Sequence, residues 1–149
     1  LANRGGVRTS MPEGNILHDD IMSMFPFRNH ICYVGLKGSE VRHMFEQMAS
    51  RGGMQVVGGV EVTVKDRELA ELKIGGEPVD DERIYGLATI DFLLNGGDNL
   101  FAARNAVELI TTDVLIFDAI IAYVRELKAA GKEIEYHTDG RVKILRTEE

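Results

Sequence analysis

The sequence predicts a single α+β domain in which helices pack on a mixed β-sheet. Three observations support this prediction. Apolar and polar residues alternate over 60–65 and 68–74, apolar residues recur at helical spacing over 41–48 and 117–127, and the two patterns interleave irregularly. The chain has 149 residues, of which 44% are hydrophobic, so it can bury one core but not two domains of ordinary size. We therefore expect residues 1–149 to form one compact unit.

The first third of the chain predicts a short helix, a strand and a longer helix. Asp19-Asp20 suits the positive end of a helix dipole, and Pro26 forces the chain out of that helix. Residues 30–36 predict a strand, and Ser39 is expected to be the N-cap of the longer helix. Gly52-Gly53 ends this helix, whose apolar face holds Val41, Met44, Phe45 and Met48.

The later elements follow from turn and cap signals. The two alternating segments flank Asp66-Arg67 and predict a β-hairpin. Residues 83–90 predict another strand. Asp113 is expected to cap a second long helix, Gly131 to end it, and residues 141–145 to form a last strand.

Charge and composition exclude several classes of function. Lys and Arg number 17 against 24 Asp and Glu, and the net charge of −7 would repel a polyanion, so we expect no nucleic-acid partner. No apolar run approaches the roughly 18 residues of a membrane span, and the first residues lack the pattern of a signal peptide. Cys32 lies in an apolar stretch, where we expect a buried, unreactive thiol. Leu1-Ala2-Asn3 is similar to the end of a buried strand, so we expect the chain to be part of a longer protein.

The residues offer no evident catalytic or metal centre. His18-Asp19-Asp20 is better explained as an acidic helix start than as a metal site, because adjacent helical residues point in different directions. Asn29-His30 lacks the glycine and the acid that flank this pair in metallophosphatases. His43 and His137 each stand alone in sequence, and no serine lies in a Gly-x-Ser-x-Gly elbow. We expect no catalytic residue and no metal ligand in this chain.

Three loop clusters have an unusual composition. Asn3-Arg4-Gly5-Gly6-Val7-Arg8 is a glycine turn between arginines, which suits an anion near backbone N–H groups. Phe27 lies in a polar loop. Its ring either fills the core (a core plug) or forms a platform on which a ligand ring stacks, and the residues alone favour the core plug. Asp98 follows two glycines in the segment 91–99, where it could accept hydrogen bonds from a vicinal diol or be an ordinary turn residue. Two aromatics, a diol acceptor and two arginines would together make a nucleotide site.

The clusters resemble the C-terminal domain of 5′-nucleotidases, in their order and in their separations. The resemblance covers the chain from end to end. The blocks that carry it are Asn3-Arg4-Gly5-Gly6-Val7-Arg8, Gly14-Asn15-Ile16, Pro26-Phe27, Lys37-Gly38-Ser39, and residues 88–98, which contain Asp91-Phe92-Leu93 and Asn95-Gly96-Gly97-Asp98.

This resemblance implies roles for individual residues. The base would lie between Phe27 and Phe92, which overrides the core-plug interpretation. Asp98 would bind the ribose hydroxyls, Asn3 would touch the base, and Arg8 would help to hold the ribose and the phosphate. The physical basis is stacking, which tolerates any π face, together with a charged acceptor for the sugar.

Gly53 adds one further expected contact, and four residues depart from the family pattern. Gly53 matches a loop that approaches the edge of the base. Arg4 and Arg28 replace glycines, Ile90 replaces an asparagine, and Asn99 replaces the final glycine. Because Arg28 and Ile90 lie beside the two phenylalanines in sequence, the base preference is left open.

The resemblance also implies partners that these 149 residues do not contain. In the family, a metallophosphatase domain, fused or separate, supplies two divalent metals of the Zn or Mn type and a catalytic His-Asp dyad. The isolated chain is therefore expected to be inactive, as the substrate-binding domain of a bacterial phosphoester hydrolase in an extracytoplasmic (periplasmic or cell-surface) setting. One alternative is a non-catalytic nucleoside- or nucleotide-binding module. Another is a relative that hydrolyses sulfur compounds, which the presence of both phenylalanines disfavours.

Overall fold

The computed structural model describes residues 1–100 and 102–147, so the predicted domain end at residue 149 lies outside the described residues. The predicted α+β class is confirmed, and the described strands form two sheets, of which the second is mixed. The helices and strands are α1 (His18–Met24), β1 (His30–Lys37), α2 (Gly38–Ser50), β2 (Val60–Lys65), β3 (Glu68–Ile74), β4 (Glu77–Pro78), β5 (Ile84–Ile90), α3 (Asp91–Leu94), β6 (Glu108–Leu115), α4 (Ile116–Ala129) and β7 (Val142–Leu145).

The first sheet is antiparallel, with β1 between β5 and β6. Alternate residues of β1 turn one face to the core, where Cys32, Val34 and Leu36 are buried. Cys32 has the predicted environment, since its side chain is buried and this burial raises the pKa of the thiol. The register pairs Ile31 with Ile90, so the start of β1 lies beside the end of β5. This pairing determines where the candidate site forms.

The second sheet has the order β4-β3-β2-β7, in which β7 is parallel to β2. The predicted hairpin is confirmed, because β2 and β3 pair around Asp66-Arg67. Both turn residues have positive φ, 50° and 68°, as a two-residue turn of the right twist requires. The helix α2 contacts strands of both sheets, so one continuous core lies between them.

The predicted apolar face of α2 is confirmed, since Val41, Met44, Phe45 and Met48 are all buried. The predicted N-cap was wrong. The helix begins at Gly38, and among the described residues no side chain caps it. Its first N–H groups instead donate to backbone carbonyls, Gly38 to Arg83 at 2.8 Å and Ser39 to Asp81 at 3.1 Å. A Cβ on Gly38 would clash with the carbonyl oxygen of Asp80, which explains a glycine at this position.

The prediction for Asp113 was also wrong. Asp113 lies inside strand β6, and α4 begins three residues later at Ile116, with Leu115 as its N-cap. The helix ends close to the predicted stop, because Gly131 has a φ of 68° just beyond it. The strand β6 was not predicted at all, although its Ile110-Thr111-Thr112 run has β-branched residues that favour a strand.

Candidate ligand-binding site

The two phenylalanines singled out in the sequence lie on segments that flank the same end of the first sheet. Phe27 precedes β1, and Phe92 belongs to α3, which follows β5 directly. Since Ile31 pairs with Ile90, the register brings the two segments to the same end of the sheet. Phe27 is 47% exposed and Phe92 is 40% exposed. The core-plug interpretation of Phe27, which its neighbouring residues favoured, was therefore wrong.

Arg8 lies against the first of these rings. The Cζ atom of Arg8 is 5.8 Å from the centroid of the Phe27 ring, which is a cation–π distance. Two hydrogen bonds hold this arginine. Its Nη1 donates to the carbonyl of Gly5 at 3.3 Å, and its backbone N–H donates to the carbonyl of Met24 at 2.9 Å. The glycine turn, its closing arginine and Phe27 thus form one local unit.

The glycine turn itself is a short 3₁₀ segment, Arg4–Gly6, that starts after Asn3. A Cβ on Gly6 would lie 2.8 Å from Oδ1 of Asn3, so a larger residue at this position would displace the asparagine amide. The sequence pattern Asn-x-Gly-Gly therefore has a steric explanation, which is that the second glycine makes room for the Asn3 side chain.

An apolar pocket of about 250 Å³ opens beside Phe27. It is small compared with typical ligand pockets, so a flat aromatic group bound in it would be only partly enclosed. Its lining includes Asn3, Val7, Phe25, Phe27, Val56 and Ile90. Asn3 and Asn29 supply the polar side chains in a wall that is otherwise apolar, and a few polar groups in such a wall can fix the orientation of a bound ring.

Asp98 lies in a loop that glycines make possible. Gly96 and Asp98 both have positive φ, 92° and 54°. A Cβ on Gly97 would overlap the ring of Phe92, so this glycine lets the loop pack directly on the aromatic side chain. The exposed carboxylate of Asp98 accepts a hydrogen bond on Oδ2 from Nε2 of Gln55 at 2.9 Å. Among the described residues, no donor is placed on its other oxygen.

Two residues of the site were not predicted. Gln55 accepts a hydrogen bond from the backbone N–H of Arg4 at 2.6 Å while it donates to Asp98, so one amide joins the glycine turn to the Asp98 loop. Arg51 donates to the backbone carbonyls of Asp98 and Asn99. Both residues belong to the site through contacts with segments that are distant in sequence. The one sequence signal that could have indicated them is that they lie next to Gly52-Gly53.

Gly53 lies in a second, more open hollow of about 760 Å³, together with Arg4, Gln55 and Asp98. A Cβ on Gly53 would meet no described atom within 4 Å. The described residues therefore impose no steric requirement for glycine here. The turn Arg4–Gly6 separates the two hollows, since Gly5 lines the open one and Gly6 lines the apolar one.

The predicted site residues thus fall on adjoining parts of one surface. Asn3 and Phe27 line the apolar pocket, Gly53 and Asp98 line the open hollow, Arg8 lies on Phe27, and Phe92 packs on the Asp98 loop. Arg4 and Arg51 line the open hollow and Arg8 lies on Phe27, although the chain carries a net charge of −7. The surface therefore combines apolar faces, the exposed carboxylate of Asp98 and three arginine side chains.

Within residues 1–100 and 102–147, no group of three or more His, Cys, Asp or Glu side chains is placed to hold a metal ion. His18 is the first residue of α1 and packs edge-on against Phe117, with ring centroids 5.1 Å apart. The described residues therefore do not fit the two divalent metals that the family resemblance implies.

No described helix has the length and apolar character needed to cross a membrane.

Fold and site together define an α+β domain with a concave, partly apolar surface at one end of the first sheet. The family described as 5′-nucleotidase, C-terminal domain, matches residues 1–105. The chain belongs to this family.

Individual relatives agree with this assignment. Protein UshA of Escherichia coli is 30% identical over 126 residues, which is 82% of this chain and 23% of that protein. A 5′-nucleotidase of Vibrio cholerae is 31% identical over 102 residues, or 66% of this chain and 18% of the relative. The crystal structure of a 5′-nucleotidase precursor from Thermus thermophilus superposes with a TM-score of 0.86 at 25% identity, covering 97% of this chain and 31% of that one. The chain therefore spans less than a third of the length of each of these proteins.

Proposed function

We propose that this chain is the substrate-binding domain of a 5′-nucleotidase-type phosphoester hydrolase, and that it binds the base and the ribose of a nucleotide. The observation that carries the proposal is the exposure of two phenylalanine rings on segments at the same end of the first sheet. A soluble domain gains by burying large aromatic side chains, so two half-exposed rings beside an apolar pocket favour a stacking partner from outside the chain.

The contacts around the rings support specific roles. Phe27 and Phe92 are the two walls of a base slot, with the Asn3 amide at the base edge and Gly53 in the loop that leaves room for it. Asp98 accepts hydrogen bonds from the ribose hydroxyls. Arg8 neutralises charge on the phosphate side, because its guanidinium lies on the Phe27 ring and retains N–H donors for an anion.

The chemistry of hydrolysis belongs to another part of the enzyme in this proposal. A metallophosphatase domain, fused or separate, carries the two divalent metals of the Zn or Mn type, since the described residues of this chain hold no cluster that fits them. When bound there, such metals polarise the phosphoryl group and activate water. This chain's own residues orient the nucleotide. We propose an extracytoplasmic setting, periplasmic or at the cell surface, on the family resemblance.

A thermal-shift screen tests the proposal. A ligand that binds only the folded state at 100 times its Kd adds about 2.7 kcal/mol of stability, which raises the Tm of a chain of this size by roughly 5 to 10 °C. Nucleosides and nucleoside monophosphates should produce such a shift, and ribose 5-phosphate, which has no base to stack, should produce a smaller one. Equal shifts with and without the base would contradict the base slot.

The alternative is a nucleoside- or nucleotide-binding module that takes no part in catalysis, and the exposed rings fit it as well. Adding a metallophosphatase domain from a relative distinguishes the two functions. The substrate-binding domain should lower the KM of the added domain for a nucleoside monophosphate, whereas a non-catalytic module should leave its kinetics unchanged.

A further inference from the structure

A histidine and an aspartate join the two segments that carry the phenylalanines. His30 is the first residue of β1, and Asp91 is the first residue of α3. The Nδ1 atom of His30 lies 3.2 Å from Oδ2 of Asp91, which is within hydrogen-bond distance. The side chains are 42% and 34% exposed. The pair lies next to the Ile31–Ile90 pairing, at the end of the β1–β5 ladder.

Asp91 makes a second contact with its other oxygen. Oδ1 accepts a hydrogen bond from the backbone N–H of Phe92 at 2.8 Å. One carboxylate therefore bridges the imidazole of His30 and the backbone of the second phenylalanine. His30 follows Phe27 by three residues, and the carbonyl of the intervening Asn29 accepts a hydrogen bond from the N–H of Ile116 at 2.9 Å. Both segments are thus held close to the pair.

The surroundings of the carboxylate leave His30 as the basic group that it contacts. The nearest acidic group on β1 is the buried thiol of Cys32, whose pKa is raised by burial and by the charge of Asp91. Because the thiol stays neutral, it adds no negative charge beside Asp91. The neutral tautomer of His30 that carries its proton on Nδ1 donates this hydrogen bond to Asp91, and so does the imidazolium.

We propose that His30 and Asp91 are a positioning pair that sets the separation of Phe27 and Phe92, and thereby decides how well the site stacks an aromatic base. The inference rests on the proposed function. Neither side chain needs to touch the ligand. The pair acts through the backbone, because the hydrogen bond between the strand ends restrains the segments on which the two rings are mounted.

The test uses a fluorescent purine nucleoside, 2-aminopurine riboside, whose emission is quenched when it stacks on an aromatic ring. The variants are His30→Leu, which cannot donate, and His30→Gln, which can. We expect His30→Leu to weaken binding about 3- to 10-fold and to reduce the quenching at saturation, since the pair is partly exposed and its effect is moderate. His30→Gln should bind within about twofold of the unmodified chain.

The matched control is His137→Ala, which removes another histidine–carboxylate contact, to Glu135 at 2.9 Å, from a segment with no residue in the site. It should change neither affinity nor quenching. Asp91→Asn is a second variant that keeps an acceptor for the Phe92 N–H but removes the charge, and it should resemble His30→Leu. A role confined to fold stability would lower the Tm while the saturated quenching stayed the same.

The results separate this inference from the proposed function. If the unmodified chain does not quench the nucleoside, or if Phe27→Ala and Phe92→Ala bind as it does, the base slot fails and the inference with it. If the phenylalanine variants lose affinity but His30→Leu and Asp91→Asn bind and quench normally, the positioning role alone is overturned. It is equally overturned if His30→Gln is as impaired as His30→Leu.

Discussion

Replacing Asp98 with Ala should remove most of the discrimination between a nucleoside and its 2′-deoxy analogue. In the structure, Oδ2 of Asp98 already accepts a hydrogen bond from Gln55, and the second oxygen points to no protein donor among the hydrogen bonds of the described residues. An exposed carboxylate oriented in this way can accept hydroxyl groups of a ribose bound in the open hollow. A nucleoside that lacks the 2′-hydroxyl loses one of these bonds.

The magnitude follows from the charge and the exposure of this carboxylate. Hydrogen bonds to charged groups contribute about 1.5 to 3 kcal/mol, and the exposed position of Asp98 places it near the lower value. About 1.5 kcal/mol corresponds to roughly tenfold tighter binding of the ribonucleoside by the unmodified chain. In Asp98→Ala, the two ligands should bind within about twofold of each other.

The assay is calorimetric titration of adenosine and 2′-deoxyadenosine against both proteins. Asp118→Ala, which removes an exposed carboxylate from α4, is the control and should leave the discrimination unchanged. Because Asp98 has a φ of 54°, alanine is strained there, so Asp98→Asn, which tolerates this conformation, checks that strain is not the cause. Unchanged discrimination in both Asp98 variants would refute the reasoning and place the sugar elsewhere.

Three other predictions concern the site, the stability and the activity. Gln55→Glu should weaken nucleoside binding by about tenfold, because it removes the hydrogen bond to Asp98 and places a second carboxylate beside it; calorimetric titration measures this, and unchanged affinity would contradict it. Hydrogen bonds from Arg141 hold the pKa of Asp139 at about 2, below its ordinary value of 3.8. The stability that this contributes is present above pH 4 and is lost as the pH falls to 2, so urea unfolding of Asp139→Asn should show a shallower decline over that window, and an identical decline would contradict it. The isolated chain should hydrolyse no phosphate monoester with zinc or manganese added, and metal-dependent turnover that persists through rigorous purification would refute this.

The elements that the sequence predicted well are those with strong local signals. The hairpin around Asp66-Arg67 follows from alternation on both sides of two residues that both take positive φ. The apolar face of α2 follows from helical spacing alone. In both cases, the residues that determine the element are close together in the chain.

The errors fall where distant parts of the chain decide the local structure. Ser39 does not cap α2 because the backbone of residues 80–83 satisfies the first N–H groups of the helix. Asp113 does not start α4 because pairing with β1 extends β6 as far as Leu115. Asp and Ser are common at helix starts, but neither partner segment is visible from a local pattern.

The candidate site shows the same division. Glycine patterns marked the turn at Asn3 and the loop at Asp98, and the structure explains both by close packing, on Asn3 itself and on Phe92. The exposure of Phe27 could not be predicted from its neighbours, which favoured a buried ring. Gln55 joins the two loops through contacts 51 and 43 residues away along the chain, and nothing local indicated it.

The most direct test of the account is a double-mutant cycle on Phe27 and Phe92 with a nucleoside ligand. Stacking on one aromatic wall is worth about 1 to 3 kcal/mol, so each alanine variant should weaken binding roughly 5- to 150-fold, and the double variant should lose less than the sum because both rings hold the same base. Since the rings are 47% and 40% exposed, each truncation should cost clearly less stability than the roughly 3 to 5 kcal/mol of a buried phenylalanine. Single variants that unfold readily, while any that stay folded bind nucleosides normally, would contradict the account.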